Sequence, residues 1–205
     1  MLPNVFAIHP GLDCSGRLPS LARPSRVGLV AEFGVLVVLG LTAAALSGWV
    51  KLGLGIPGHH ILRVLLPMGL GLALVPRHGA ATVMSLGGAL GASLLPGLGA
   101  PGLGAGALTS LILTGLVVDA ALLHARDGKG VYGRLALAGL GANLAALAVK
   151  LAEKTLVGTG LEGGPVAVWW PKAVLTYSIC GLLAGWLSAA VWFRFASSRP
   201  DRSTP

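Results

Sequence analysis

The chain has 205 residues, of which 54% are hydrophobic and 11% charged, and its formal net charge is +8. A soluble domain carries about 25% charged residues, so a chain this poor in charge could not cover a surface that faces water. Composition therefore predicts an all-α, polytopic integral membrane protein and argues against nucleic acid as a partner. The 32 glycines lie within the apolar runs, where small residues let helices pack closely in lipid. Gly87 and Gly91 are four apart, as are Gly88 and Ala92, which predicts a close-packing face on the third apolar segment.

Six apolar segments can be followed along the chain. Residues 1–26 form a basic, polar leader, which we expect to be cytoplasmic and partly disordered. One transmembrane domain is predicted over 27–195, and a basic cytoplasmic tail over 196–205. The predicted spans are 27–50, 61–76, 79–97, 105–125, 132–151 and 172–193. The second span contains Pro67 and is short enough to be kinked, tilted or re-entrant.

The distribution of basic residues predicts the orientation of the spans. With six spans, ten lysines and arginines fall on the side of the two termini and five on the other. The positive-inside rule then places both termini in the cytoplasm and the protein in the inner (plasma) membrane, with its basic ends on lipid headgroups. The predicted loop 152–171 ends in Trp169 and Trp170, which are typical of an aromatic belt.

The stretch KLGLGIPGHHILRVLLP, residues 51–67, carries the clearest signal for a ligand. By this topology His59, His60 and Arg63 lie at the outer membrane surface, where the second span begins. If the helix has started, residues three or four apart share a face, and its first N–H groups carry partial positive charge. This pattern predicts a site for the carboxylate or phosphate of a small ligand. Asn143 and Tyr177 are expected in the outer halves of their spans, near this site.

Two other interpretations of this stretch stay open. His59 and His60 could ligate a transition metal, although adjacent residues point about 100° apart on a helix and no third ligand lies close in sequence. His59, His60 and Arg63 could instead only anchor a short helix at the headgroups. No cofactor is predicted.

Glu32 and Asp119 are acids inside predicted spans, within about two turns of the predicted cytoplasmic face. Such acids usually face a partner group, a cavity or another protein. Arg26, Arg126 and Arg134 lie on the same side and could pair with them. We expect structural pairing or a docking surface, with a proton relay as the alternative.

Signatures of enzymes are absent from the sequence. It contains no HExxH, no GxxxxGK[ST] and no paired carboxylates at metal spacing, and GASLL is not a nucleophile elbow. The sequence therefore predicts that the protein is not an enzyme.

Three features of the sequence carry a family resemblance. They are six short, glycine-rich predicted helices, the IPGHH stretch after the first span, and the segment LVPRHGAATVMSLGGALGASLL that follows it. The layout over 27–195, and the motif over about 55–95, resemble the substrate-binding S component of energy-coupling factor (ECF) transporters. The resemblance implies a subunit that binds a vitamin or metal ion from outside and has no ATPase of its own. Such a subunit docks on a coupling membrane subunit with two ATPases, here through Gly40, Ala44 and Ser47. The chain begins MLPNVF and lacks the Met-His terminus of metal-type S components.

These observations predict a membrane subunit of a transporter that captures a small anionic or zwitterionic solute from the outer side, with uptake powered by partner ATPases. One alternative is a non-transporting membrane subunit or scaffold of a larger complex. A second alternative is a small channel or a proton-coupled carrier that uses Glu32 and Asp119.

Overall fold

The computed structural model describes Leu12 and residues 26–50, 58–98, 103, 105–123, 130–157 and 166–193. Over these residues the chain is all-helical, with six α-helices and no strand, so the expected all-α class is confirmed for them. The helices are α1 (Arg26–Trp49), α2 (His60–Leu74), α3 (Ala80–Leu94), α4 (Ala105–Leu122), α5 (Gly130–Val157) and α6 (Val166–Phe193). A 3-10 turn, Leu95–Leu98, follows α3.

Three of these helices are long and apolar enough to cross a membrane, at Gly28–Trp49 in α1, Gly130–Ala152 in α5 and Trp170–Phe193 in α6. The apolar segments of α2, α3 and α4 are shorter. The 15 residues of α2 rise about 22 Å at 1.5 Å per residue, whereas the hydrocarbon core is about 30 Å thick. By length and composition, the three long helices support a helical membrane protein.

The helix boundaries follow the predicted spans except around the last loop. The prediction of a loop over 152–171 is wrong in extent, because α5 continues to Val157 and α6 already begins at Val166. Pro171 lies in the second turn of α6, where it removes one backbone donor close to the helix start without ending the helix. The basic tail lies outside the described residues, and so does the leader, for which partial disorder was predicted, except for two residues. These are Leu12, which is buried in the core, and Arg26.

α2 is the central helix of the bundle. It packs mainly between α1 and α6 and also touches α3, α4 and α5. Ten of its 15 residues are buried, and none of its large apolar side chains is exposed. The other helices carry large apolar side chains on their outer faces, such as Val30 at 70% exposed and Leu90 at 68%. An apolar surface of this extent fits lipid rather than water.

Glycines bring the helix backbones close together at two interfaces. Between α1 and α3, a Cβ added to Gly88 would lie 2.9 Å from the carbonyl oxygen of Gly40. Between α5 and α6, a Cβ added to Gly181 would lie 2.5 Å from the carbonyl oxygen of Gly139. The close-packing face predicted for α3 at Gly87, Gly88, Gly91 and Ala92 is thereby confirmed as an internal contact with α1.

Hydrogen bonds from α6 fasten the middle of α2. Pro67 lacks a backbone donor, so the regular bonding of α2 is interrupted at this level. Close by, Ser188 Oγ donates to the carbonyl oxygen of Leu65 at 2.8 Å, and Trp192 Nε1 donates to that of Leu66 at 2.9 Å. These bonds hold α2 to the last helix of the chain.

Candidate functional site

Polar side chains gather at the two ends of the bundle. We call one the carboxylate end, defined by Glu32, Arg77, Thr82, Asp119 and Arg134. We call the other the histidine end, defined by Ser47, Gly58, His59, His60, Arg63, Asn143 and Tyr177. α1 connects the two ends, from Glu32 to Ser47, so the two groups are about 22 Å apart along that helix.

The start of α2 is held at the histidine end by Asn143. The φ angle of Gly58 is +87°, a conformation that glycine adopts without steric cost. The buried Asn143 donates through Nδ2 to the carbonyl oxygens of Gly58 at 3.2 Å and Tyr177 at 2.7 Å. A Cβ on Gly58 would lie 3.0 Å from Asn143 Nδ2 and 3.1 Å from Tyr177 Cα. The structure therefore brings Asn143 and Tyr177 next to His59, where Asn143 positions the backbone from which α2 begins.

Arg63 is the buried cation of this end, with only 7% of its surface exposed. Its Nη1 donates to the carbonyl oxygen of Ser47 at 3.3 Å, and its Nη2 donates to His59 Nε2 at 3.1 Å. Because a guanidinium can only donate, His59 accepts here through an unprotonated Nε2. The Nε of Arg63 is buried without a hydrogen-bond partner. The predicted contact between residues 59 and 63, four apart, is confirmed.

The two histidine rings stack on each other, with centroids 4.6 Å apart and 24° between their planes. The Nδ1 of His60 is buried without a hydrogen-bond partner. Within the described residues, no group of three or more His, Cys, Asp or Glu side chains could hold a metal ion.

The positive charge of Arg63 has no acidic partner among the described side chains. The two carboxylates that they include, Glu32 and Asp119, both lie at the opposite end of the bundle. Arg77 illustrates the contrast, because it forms an ion pair with Glu32. A buried charge without a counter-ion is costly, so the Arg63 guanidinium is ready to accept an anion.

The histidine end is recessed between α5 and α6. The candidate span of α5 runs nine residues past Asn143 to Ala152, and that of α6 begins seven residues before Tyr177, at Trp170. At 1.5 Å per residue, both spans continue roughly 10–14 Å beyond the level of Gly58. The start of α2 is held at this level by the bond from Asn143 to Gly58.

Both acids at the carboxylate end accept hydrogen bonds from other residues of the chain. Glu32, 6% exposed, accepts from Arg77 through both Nε and Nη2, the latter at 3.1 Å. The expected partners were different: Arg134 donates to the carbonyl oxygen of Ala121, and the side chains of Arg26 and Arg126 lie outside the described residues. Sequence reasoning missed Arg77, although the turn PRHG places it on the same side as Glu32.

Asp119 of α4 caps the first turn of α3. Its carboxylate accepts from Thr82 N at 2.8 Å, from Thr82 Oγ1 at 2.5 Å and from Ala81 N at 3.3 Å. These N–H groups have no partner within α3, so the carboxylate satisfies them and interacts favourably with the helix dipole.

Asp119→Ala is therefore expected to lower the free energy of unfolding by about 1–2 kcal/mol, whereas Asp119→Asn, which keeps an acceptor oxygen, loses less. Thermal unfolding of the purified protein in detergent measures both variants. Equal stability of Asp119→Ala and the wild type would show that the cap contributes nothing.

The predicted docking face on α1 is occupied by the chain itself. Gly40 and Ala44 are buried against α3. The hydroxyl of Ser47 bonds the carbonyl oxygen of Ala43 at 2.8 Å, and its own carbonyl accepts from Arg63. Docking through these residues stays a prediction, and in this conformation they are filled by internal contacts.

No protein-family model, curated protein or solved structure matches this chain. The geometry of the site therefore carries the functional argument by itself. It defines a helical membrane protein with a recessed, buried arginine flanked by two histidines, an arrangement suited to holding a small anion.

Proposed function

We propose that this chain is the substrate-binding membrane subunit of a transporter. In this proposal all six helices cross the membrane, both termini are cytoplasmic, and the histidine end faces outward. A small anionic or zwitterionic solute binds at Arg63, His59 and His60. Partner ATPases, acting through a coupling membrane subunit as in ECF transporters, power its uptake.

The observation that carries the proposal is the state of Arg63. Asn143 and both described acids have hydrogen-bond or ionic partners. Among the described residues, Arg63 bonds only the carbonyl oxygen of Ser47 and the ring of His59, and its Nε has no hydrogen-bond partner. A purely structural position would be served better by a neutral side chain, because a buried unpaired charge lowers stability. Binding sites commonly keep such unfavourable groups because the ligand completes them.

The recess at the histidine end supports capture over headgroup anchoring. An arginine that only anchors a helix extends to the interface and leaves its charge in water. Arg63 instead lies below the ends of the candidate spans of α5 and α6 and is 93% buried. Small-molecule sites in helix bundles occupy this kind of position, between helices and out of bulk solvent.

We do not propose the proton-coupled carrier, because Glu32 is held in an ion pair and Asp119 caps α3. The alternative of a non-transporting scaffold makes different predictions, because a scaffold would copurify without ATPases and without a bound anion.

Gentle purification of the wild-type protein from its native membranes, followed by mass spectrometry, is the test. We expect a pair of ATPases and one further membrane subunit to copurify, and a small anion to be released when the protein is denatured. Recovery of an assembly without any ATPase would contradict the transporter and favour the scaffold.

Arg63→Gln is the matched variant for this purification. We expect it to retain the partner subunits and to lose the bound anion. It removes an unpaired charge together with two hydrogen bonds to neutral groups, so its unfolding free energy without ligand should stay within about 1 kcal/mol of the wild type. Arg134→Gln, at the carboxylate end, serves as control and should keep both partners and anion. Full retention of the anion by Arg63→Gln would exclude Arg63 from the site.

A further inference from the structure

Arg63 supplies the only buried positive charge at the histidine end among the described residues. Lys150 acts electrostatically on His60, but its side chain is exposed, so water and salt screen it. His59 accepts a hydrogen bond from Arg63. The buried part of the site therefore compensates one negative charge, and a second negative charge placed there would be left without a counter-ion.

The hydrogen bonds of Arg63 leave its Nε unused. Nη1 and Nη2 are each bonded once, to Ser47 and His59, and Nε is not bonded. Each terminal nitrogen carries two hydrogens, so Nη2 retains a second hydrogen to donate. Arg77 uses the same pair of nitrogens, Nε and Nη2, to hold the two oxygens of Glu32.

We infer that the solute carries a single carboxylate, which Arg63 binds through Nε and Nη2 in the way that Arg77 binds Glu32. The inference rests on the proposed function and specifies the class of solute. A planar carboxylate matches the two parallel donors of a guanidinium. The Nδ1 of His60, also buried and without a partner, provides a further hydrogen-bonding group next to the carboxylate.

A phosphate monoester fits this charge balance less well, since it carries about −1.5 to −2 at pH 7. A second positive charge from His60 would be needed to compensate it. Among the described side chains at this end, only Arg63 is a buried cation. The site should therefore discriminate against dianions and against neutral analogues.

The test is ligand-observed fluorine NMR on the purified, full-length protein in detergent. The probes are fluoroacetate, 5-fluoropentanoate and 4-fluorobenzoate, each paired with its neutral amide, and 4-fluorophenyl phosphate as the dianion. We expect at least one carboxylate to bind ten-fold or more tightly than both its amide and the phosphate. Equal or tighter binding of the phosphate or the amide, or no binding of any carboxylate up to about 10 mM, would overturn the inference.

Two variants assign the effect to the guanidinium. Arg63→Gln should weaken binding of the carboxylate probe by about 10- to 100-fold, as expected for the loss of charge-assisted hydrogen bonds. Arg63→Lys keeps the charge but loses the planar fork, so it should lose most of the affinity too. Arg134→Gln should bind as the wild type does. Wild-type affinity in both Arg63 variants would overturn the inference.

Failure of the inference and failure of the proposed function give different results. Probe binding is measured on the isolated chain and needs no ATPase. Preference for the phosphate would reject the carboxylate and leave anion capture in place. Carboxylate binding by a chain that recovers no ATPase partner would reject the transporter and leave the site.

Discussion

Gly181→Ala is expected to lower the free energy of unfolding by about 2–3 kcal/mol, because one added methyl group forces α5 and α6 apart. A Cβ at this position would lie 2.5 Å from the carbonyl oxygen of Gly139 and 2.9 Å from Leu140 Cα. Both are backbone atoms, which cannot rotate away as a flexible side chain could. In lipid the association of helices depends on this close packing, so the loss should spread to α2, which also contacts α6.

Gly133→Ala, in α5, is the matched control, because Gly133 is exposed and no atom lies within 4 Å of an added Cβ. It should keep or slightly raise stability, since alanine favours a helix by about 0.5–1 kcal/mol over glycine. Thermal unfolding in detergent, followed by size-exclusion chromatography with fluorescence detection, compares the two variants with the wild type. Equal unfolding temperatures for Gly181→Ala and Gly133→Ala would refute the close contact between α5 and α6.

Glu32→Ala should be the second strongly destabilising change, with a loss of about 3 kcal/mol, because it leaves the charge of Arg77 without its partner. Glu32 is 6% exposed and accepts two hydrogen bonds from Arg77. The pair joins α1 to the turn between α2 and α3, so its loss should loosen the carboxylate end.

The double variant Glu32→Gln, Arg77→Met tests whether the stability lost in Glu32→Ala comes from the unpaired charge of Arg77 or from the loss of side-chain packing. Removing both charges takes away the unpaired cation, so we expect the double variant to recover most of the stability lost in Glu32→Ala. Thermal unfolding in detergent and the yield of monodisperse protein measure the recovery. A double variant less stable than Glu32→Ala would mean that the pair is not the source of the effect.

Local patterns along the chain predicted the local features well. The apolar run 27–50 corresponds to α1 (Arg26–Trp49), because a long apolar segment in lipid has few alternatives to a helix. The spacing of four between His59 and Arg63 predicted their contact, and the glycine spacing in α3 predicted a close-packing face. Each of these features depends on residues within about one turn of a helix.

Contacts between distant residues could not be predicted from the sequence alone. Glu32 and Arg77 are 45 residues apart, and Asn143 and Gly58 are 85 apart. Several arginines lay on the predicted side of Glu32, and their spacing does not select one. The short, proline-containing second span was expected to be kinked, tilted or re-entrant, and nothing in its sequence placed α2 at the centre of the bundle. Hydropathy measures how apolar a segment is and does not report which neighbours enclose it.

The bonds between α2 and α6 also set the order in which the protein can be completed. Ser188 and Trp192 bond to Leu65 and Leu66 across 123 and 126 residues of sequence. A ribosome adds about 5–20 residues per second, so α2 leaves it roughly ten seconds before these partners exist. Throughout that interval the central helix lacks one of its two main neighbours. A nascent chain that stops before Ser188 leaves the Gly69 side of α2 uncovered, which gives membrane quality control a feature by which to recognise it.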